Sequence, residues 1–251
     1  MSQSPYAAKP TNEWKEITEK LIATYPLSQD EILEIAVMSW KRLWESKIGG
    51  EIKLNEVDLP ATVVGYFFQK LFAYELSKRY PSVWKGEVLK SDKDLVNINN
   101  PSFSTEMKTS GQLGYNLYGN RSYNQQTENS ENSGKDKSGY YITLNFYEQA
   151  ITSLRIGWID QDDWLPQDSQ TGQAATLKTE VYDYKLLQIN GAYLNDSPVQ
   201  LLKGIGDKVL TKFHGDNVYT FSDLRSYAGE NRKILKIKSD NLTLLNSFLD
   251  F

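Results

Sequence analysis

Asp94, Glu106 and Lys108 are the residues of this chain whose types and spacing suit joint chemistry. Asp94 leads a short apolar run, Leu95-Val96-Asn97-Ile98, and Asn99-Asn100-Pro101 reads as a turn. Residues 102–108 then alternate polar and apolar, as a half-buried strand does. Folded as a hairpin about Asn100, the two runs set position 94 opposite position 106. Opposed side chains in an antiparallel pair stand roughly 4.5–5.5 Å apart at Cβ. Glu106 and Lys108 are two residues apart and project from one face of the strand. Two carboxylates are hard oxygen ligands of the kind Mg²⁺ takes, alongside water and phosphate oxygens. A metal held there lowers the pKa of a bound water and neutralises charge at a phosphorus centre. A lysine beside it orients the attacking water or offsets transition-state charge. The competing reading makes Asp94 and Lys108 ordinary strand-end charges with Glu106 pairing across the hairpin, since so short a pattern also arises by chance.

The elements that must position these residues are legible around them. Residues 11–25 read as a helix with Trp14, Ile17, Leu21 and Ile22 on one side, ended by Pro26. Ser28-Gln29-Asp30-Glu31 is a capping box. The helix it opens runs to about residue 47, with Ile32, Ile35, Ala36, Ser39, Leu43 and Trp44 inward and Gly49-Gly50 as its stop. Asp58-Leu59-Pro60 opens a third helix carrying Val63, Val64, Phe67, Phe68, Leu71, Phe72 and Leu76. Apolar around much of its surface, it is expected to be buried directly under the hairpin. Residues 124–137 hold no apolar side chain and read as a loop. Strands are expected over 140–147, 154–159, 175–184 and 185–189, with Asn190-Gly191 as a turn. The fold class is therefore α/β, a mixed central sheet of about five strands flanked by helices. A single domain over 1–251 is expected: N-terminal helices to about 90, the sheet over 91–190 and a helical extension over 198–251.

Composition narrows the chemistry. The 251 residues include no cysteine and one histidine, His214, which removes Cys/His zinc sites, thiol nucleophiles and disulfides. His214 reads as a structural or phosphate-adjacent residue at a helix end. No apolar run approaches the ~20 residues of a membrane span, and the first eleven residues lack the apolar core of a signal peptide, so a cytoplasmic protein is expected. The net charge of −4 argues against a nonspecific DNA coat. Charge is uneven, however. Between Lys203 and Lys238 eight basic residues stand against four acidic ones. Between Asp160 and Asp183 six acidic residues stand against one lysine, a segment expected to face away from DNA.

Beyond the hairpin, Thr109-Ser110-Gly111-Gln112 and Gly119-Asn120-Arg121-Ser122-Tyr123 are rich in hydroxyls, amides and glycine, with one arginine. These groups contact phosphates and base edges. Asp94 with Glu106-Met107-Lys108 resembles the PD-(D/E)xK nuclease signature. The continuation through Tyr118-Gly119-Asn120-Arg121-Ser122-Tyr123 is similar to the type II restriction endonucleases, and among them the ScaI-type family, over about residues 31–224.

The resemblance implies Mg²⁺-dependent hydrolysis of both strands of a short palindromic site in double-stranded DNA. It makes Asp94 and Glu106 the metal ligands and Lys108 the catalytic lysine. Thr109, Ser110, Gln112, Asn120, Arg121, Ser122 and Tyr123 become candidate DNA contacts. It also implies a homodimer, to which Trp40, Trp44, Phe67 and Phe68 would contribute, and a cognate DNA methyltransferase in the host. In the family a helix before the hairpin often adds an acid in a Gly-x-x-x-Glu setting. Four residues after Gly65 this chain has Gln69, which adds no charge, and Glu75 is the substitute candidate on the same helix. Gly204-Ile205-Gly206, opening an apolar-periodic helix, resembles the hairpin of a helix-hairpin-helix element. There the glycines let a phosphate approach the backbone, and Gly204, Gly206 and Lys208 become phosphate contacts. The alternative is a plain turn before a packing helix. Two readings of the whole chain compete: a restriction endonuclease, or a non-catalytic or repair-type DNA-binding protein on the same scaffold. A sugar- or nucleotide-modifying enzyme finds no Gly-rich phosphate turn here.

Overall fold

The computed structural model describes residues 4–120, 137–165, 174–202 and 204–230. After a 3-10 turn, α1 (Trp14–Ala23) and α2 (Gln29–Glu45) precede a small hairpin of β1 (Lys47–Ile48) and β2 (Ile52–Lys53). The long helix α3 (Ala61–Arg79) follows, then β3 (Trp84–Gly86), β4 (Leu95–Asn97), β5 (Thr105–Gly111) and β6 (Tyr118–Asn120). The remaining strands are β7 (Gly139–Tyr147), β8 (Ala150–Ile159), β9 (Trp164–Leu165), β10 (Ala174–Leu177) and β11 (Leu186–Gln188). Helices α4 (Asp207–Gly215) and α5 (Phe221–Glu230) close the described chain.

The capping box forms as its residue types dictate. Ser28 Oγ accepts from the Glu31 N–H at 3.2 Å, and Glu31 Oε2 accepts from the Ser28 N–H at 2.8 Å. It starts α2 in register to bury Ile32, Ile35, Ala36, Ser39, Trp40 and Leu43.

The central sheet has six strands in the order β11-β8-β7-β5-β4-β3, with β5 and β7 parallel and the other neighbours antiparallel. This is one strand more than expected, because β3 is only three residues long and offers no alternation to read. One face packs on α2 and α3 through Leu95, Met107, Ile142, Leu144 and Leu154. The opposite face is covered by a three-stranded sheet, β6-β10-β9, through Tyr141, Leu117, Trp164, Ala175 and Leu177. The strand expected over 175–184 is broken. It leaves β10 at Leu177, and a π-helical turn, Val181–Lys185, leads into β11. That turn buries Lys185 against Asp160 and Asp163, a polar demand that an apolar pattern does not show.

α3 approaches β5 closely. A Cβ on Gly65 would lie 2.1 Å from Thr109 Oγ1, so only glycine lets the helix sit this near the strand. Total burial of α3 was the expectation from its apolar circumference. Val64, Phe68, Phe72 and Leu76 are indeed buried, but Val63, Tyr66, Phe67 and Tyr74 lie on an exposed face. Trp40 and Phe68, expected as dimer contacts, belong to the core of this chain.

α4 and α5 form their own apolar cluster from Val199, Leu202, Phe213, Val218, Phe221 and Leu224. The apolar positions from Leu235 to Leu249 lie outside the described residues. No described helix is long and apolar enough to cross a membrane.

Candidate active site

The hairpin forms in the register set by its turn. Leu95 pairs with Thr105, so one step outward brings Asp94 level with Glu106. Asn97 Oδ1 accepts from the backbone N–H groups of Asn99 and Asn100, and Asn100 caps the following 3-10 turn, Pro101–Phe103. Asn97 and Asn100 thus close the hairpin through side chain-to-backbone bonds. Asp94 Oδ2 accepts from the Met107 N–H at 2.6 Å, which draws the carboxylate to the backbone between Glu106 and Lys108. Lys108 Nζ donates to Glu106 Oε1 at 3.0 Å. The Glu106 side chain is 6% exposed and that of Lys108 16%, so this pair is only thinly solvated. Among described residues, the three side chains picked from the sequence gather on one stretch of β5.

α3 frames the other side. Gln69 Nε2 donates to the Met107 carbonyl at 3.2 Å, so both backbone groups of Met107 are held, one by Asp94 and one by Gln69. A cavity beside Asp94 is lined by Gln69, Lys70, Tyr74, Gly86 and Glu87. Glu87 pairs with Lys70, whose ammonium is held above its ordinary pKa by that partner. The Glu87 N–H also donates to the Asp94 carbonyl at 3.3 Å. Sequence reading missed Glu87 and Lys70. Glu87 comes near Asp94 through the pairing of β3, too short to be read, with β4, and Lys70 reaches it from α3.

Glu75 does not reach this site. It is buried and paired with Arg42 of α2, six residues along α3 from Gln69 and on the helix's other side. It is a helix-to-helix ion pair.

The donor set suits a hard divalent ion. Asp94 and Glu106 offer carboxylate oxygens, and among described residues no group of three or more His, Cys, Asp or Glu is gathered. Two carboxylates completed by waters and phosphate oxygens is the arrangement Mg²⁺ tolerates, whereas zinc cages need more protein ligands.

Comparison with known proteins decides the family. A profile of the ScaI restriction endonuclease family matches residues 4–190. The type II restriction enzyme ScaI of Streptomyces caespitosus is 34% identical over 198 residues, which is 75% of this chain and 86% of that protein. This chain belongs to the ScaI restriction endonuclease family. It is accordingly a type II restriction enzyme. A solved restriction endonuclease in complex with substrate DNA also aligns, at 12% identity and a TM-score of 0.38, over 68% of this chain and 87% of that one. The family match begins well before residue 31, where the sequence resemblance started, and ends at 190, short of the glycine-rich stretch at 204–206.

On the scaffold of the ScaI family, the other candidate contacts fall in different places. Thr109 points to α3, against Gly65, on the opposite face of β5 from Glu106 and Lys108. Ser110 shares the face of Lys108 but is 7% exposed. Gln112 is half-buried just beyond β5. Asn120 pairs through its backbone with Ala174. Arg121, Ser122 and Tyr123 lie outside the described residues. Gly204, with φ +89°, and Gly206 and Lys208 are exposed at the start of α4. They follow a single 3-10 turn, Val199–Leu201, where a helix-hairpin-helix element would have a full helix. His214 stacks on Tyr219, with ring centroids 4.8 Å apart.

Proposed function

We propose that this restriction enzyme hydrolyses both strands of a short palindromic DNA site with Mg²⁺, using Asp94 and Glu106 as metal ligands and Lys108 as the catalytic lysine. The observation that carries this is the Lys108–Glu106 contact at 3.0 Å on the strand whose Met107 N–H holds Asp94. The ion, when bound, supplies a water of lowered pKa and neutralises charge on the phosphorus centre. Lys108 keeps its ammonium beside Glu106, where it orients that water and offsets transition-state charge. Asp94 and Gln69 clamp the Met107 backbone between the two functional side chains. A half-ångström drift of either would misalign the attack, and two backbone bonds oppose it.

One site cuts one strand, so a palindrome calls for two copies about a two-fold axis. The bare apolar face of α3, with Tyr66 58% and Tyr74 57% exposed, supports a homodimer. An enzyme of this specificity would cut its host's own sites, so its partner is a cognate DNA methyltransferase, and its place is the cytoplasm with the DNA. The test is incubation of plasmid with Mg²⁺ followed by sequencing of fragment ends. Discrete fragments with dyad-related ends are expected. Retarded but uncut DNA would favour the non-catalytic reading. A monomeric mass by light scattering, free and on DNA, would remove the dimer.

A further inference from the structure

Arg155 is a buried cation that the chemistry above does not use. It sits in β8, in the row that runs from Lys108 through Thr143 to Arg155 across the sheet. Paired residues share a face, so it projects from the side of the sheet that carries Glu106 and Lys108. It is 8% exposed. Burial pulls its guanidinium below the ordinary value. Among the described residues its hydrogen-bond partners are neutral. Nη1 and Nη2 each donate to the Tyr115 carbonyl at 3.4 Å, and Nη1 donates to Asn145 Oδ1 at 3.2 Å. The rings of Tyr115 and Tyr182 flank it at 5.8 and 5.6 Å.

The same neighbourhood fixes the next two residues of the chain. Asn145 Nδ2 donates to the Asn116 carbonyl at 3.0 Å, and the Leu117 N–H donates to the Tyr182 hydroxyl at 2.8 Å. Three successive residues, 115 to 117, are thus held by side chains from β8, β7 and the π-helical turn. What they anchor is the turn that directly continues β5. Its tip carries Gln112, Leu113, which is 45% exposed, and Gly114 at φ +121°, a conformation reserved for glycine. A strand rises about 3.3 Å per residue, so the tip begins about 13 Å beyond Lys108. That is about four steps of 3.4 Å along a DNA strand. A carboxamide and an apolar tip are groups that read base edges and a base methyl in a groove.

We propose that Arg155 is a positioning residue that, with Asn145 and Tyr182, holds the turn Gln112-Leu113-Gly114 rigidly enough to read bases about four steps from the scissile phosphate. This rests on the nuclease reading above. Among the described residues the fold gives no reason for the charge, since a buried ion with no ionic partner there is less favourable than an apolar side chain of similar size. What an apolar residue lacks is the fork that grips one carbonyl twice and Asn145 once.

The experiment measures Arg155→Met and Arg155→Lys against wild type on duplexes holding the cognate site or single-base variants of it. Cleavage with Mg²⁺ and binding with Ca²⁺ are both read. Arg155→Met is expected to melt no lower than wild type and to bind Ca²⁺ at Asp94 and Glu106 as wild type does. Its preference for the cognate site should fall roughly tenfold or more, the scale of a lost base contact. Arg155→Lys should not restore it, because an ammonium cannot bridge the same oxygens. Wild-type preference in Arg155→Met would overturn the proposal. Should that variant fail to fold, Gln112→Ala and Leu113→Ala, in the turn itself, decide the matter. Retained preference in both overturns the proposal, and lost preference with an unchanged melting point supports it. If wild type binds its site without cutting, the nuclease reading fails, while the binding preferences still judge the turn.

Discussion

Two clusters in this protein have the same composition, one lysine and two carboxylates, and opposite surroundings. In one, Lys185 Nζ donates to Asp160 at 2.9 Å and to both oxygens of Asp163 at 2.9 and 2.8 Å. The rings of Tyr6 and Trp14 lie over the ammonium at 4.3 and 4.5 Å. Its side chain is 3% exposed. Ser4 also donates to Asp160, so the cluster fastens the N-terminal segment to the sheet. In the other, Lys108 contacts Glu106, and Asp94 borders a cavity under α3. The first is closed by aromatic rings and its donors are directed inward. The second is bordered by that cavity on its Asp94 side, and the Lys108 side chain is 16% exposed. Ionic composition alone does not separate a fastening from a candidate active site; closure by neighbouring side chains is what differs between the two. Of the acidic segment between Asp160 and Asp183, the closed cluster takes up Asp160 and Asp163, which turn in toward Lys185.

The sharpest way to break this comparison is to remove each lysine. Lys108→Ala should lower cleavage by about 10²–10³ or more while site-specific binding and melting temperature stay near wild type, because the lost contact is made mainly in the transition state. Near-wild-type plasmid cleavage would mean the active site lies elsewhere. Glu106→Ala should also stop cleavage, but by removing a metal ligand. Ca²⁺ titration by calorimetry should show weakened binding for this variant and retained binding for Lys108→Ala. Equal Ca²⁺ affinity in the two would undo the assignment of roles.

Lys185→Ala should act on the fold. Leaving two buried carboxylates without their partner costs about 3–5 kcal/mol, read as a lowered denaturant midpoint, and cleavage per folded molecule should be unchanged. A selective loss of cleavage with wild-type stability would make this cluster functional after all. The smallest effect is expected at the third charged region, the start of α4. Gly206 has φ −91° and a Cβ there meets nothing within 4 Å, so Gly206→Val should leave the melting point alone. If this turn touches a phosphate, the slope of log affinity against log salt should drop by about 0.9, one contact's worth. An unchanged slope assigns the turn to packing.

The sequence by itself determined the hairpin, its register and the convergence of Asp94, Glu106 and Lys108, because a turn of Asn and Pro counts residues symmetrically and period-two alternation assigns faces. It also determined α2, through its capping box and apolar period. The tertiary structure alone decided which polar residues are spent inside the protein. Glu75 is claimed by Arg42, Thr109 by the close approach of Gly65, and Asp160 and Asp163 by Lys185. None of these partners is near in sequence, so no local pattern encodes them. The same holds for Arg155, which reads as an ordinary strand residue until the chain at 115–117 folds back across it. Burial of a charge depends on what covers it, and here the cover comes from segments some thirty to forty residues away.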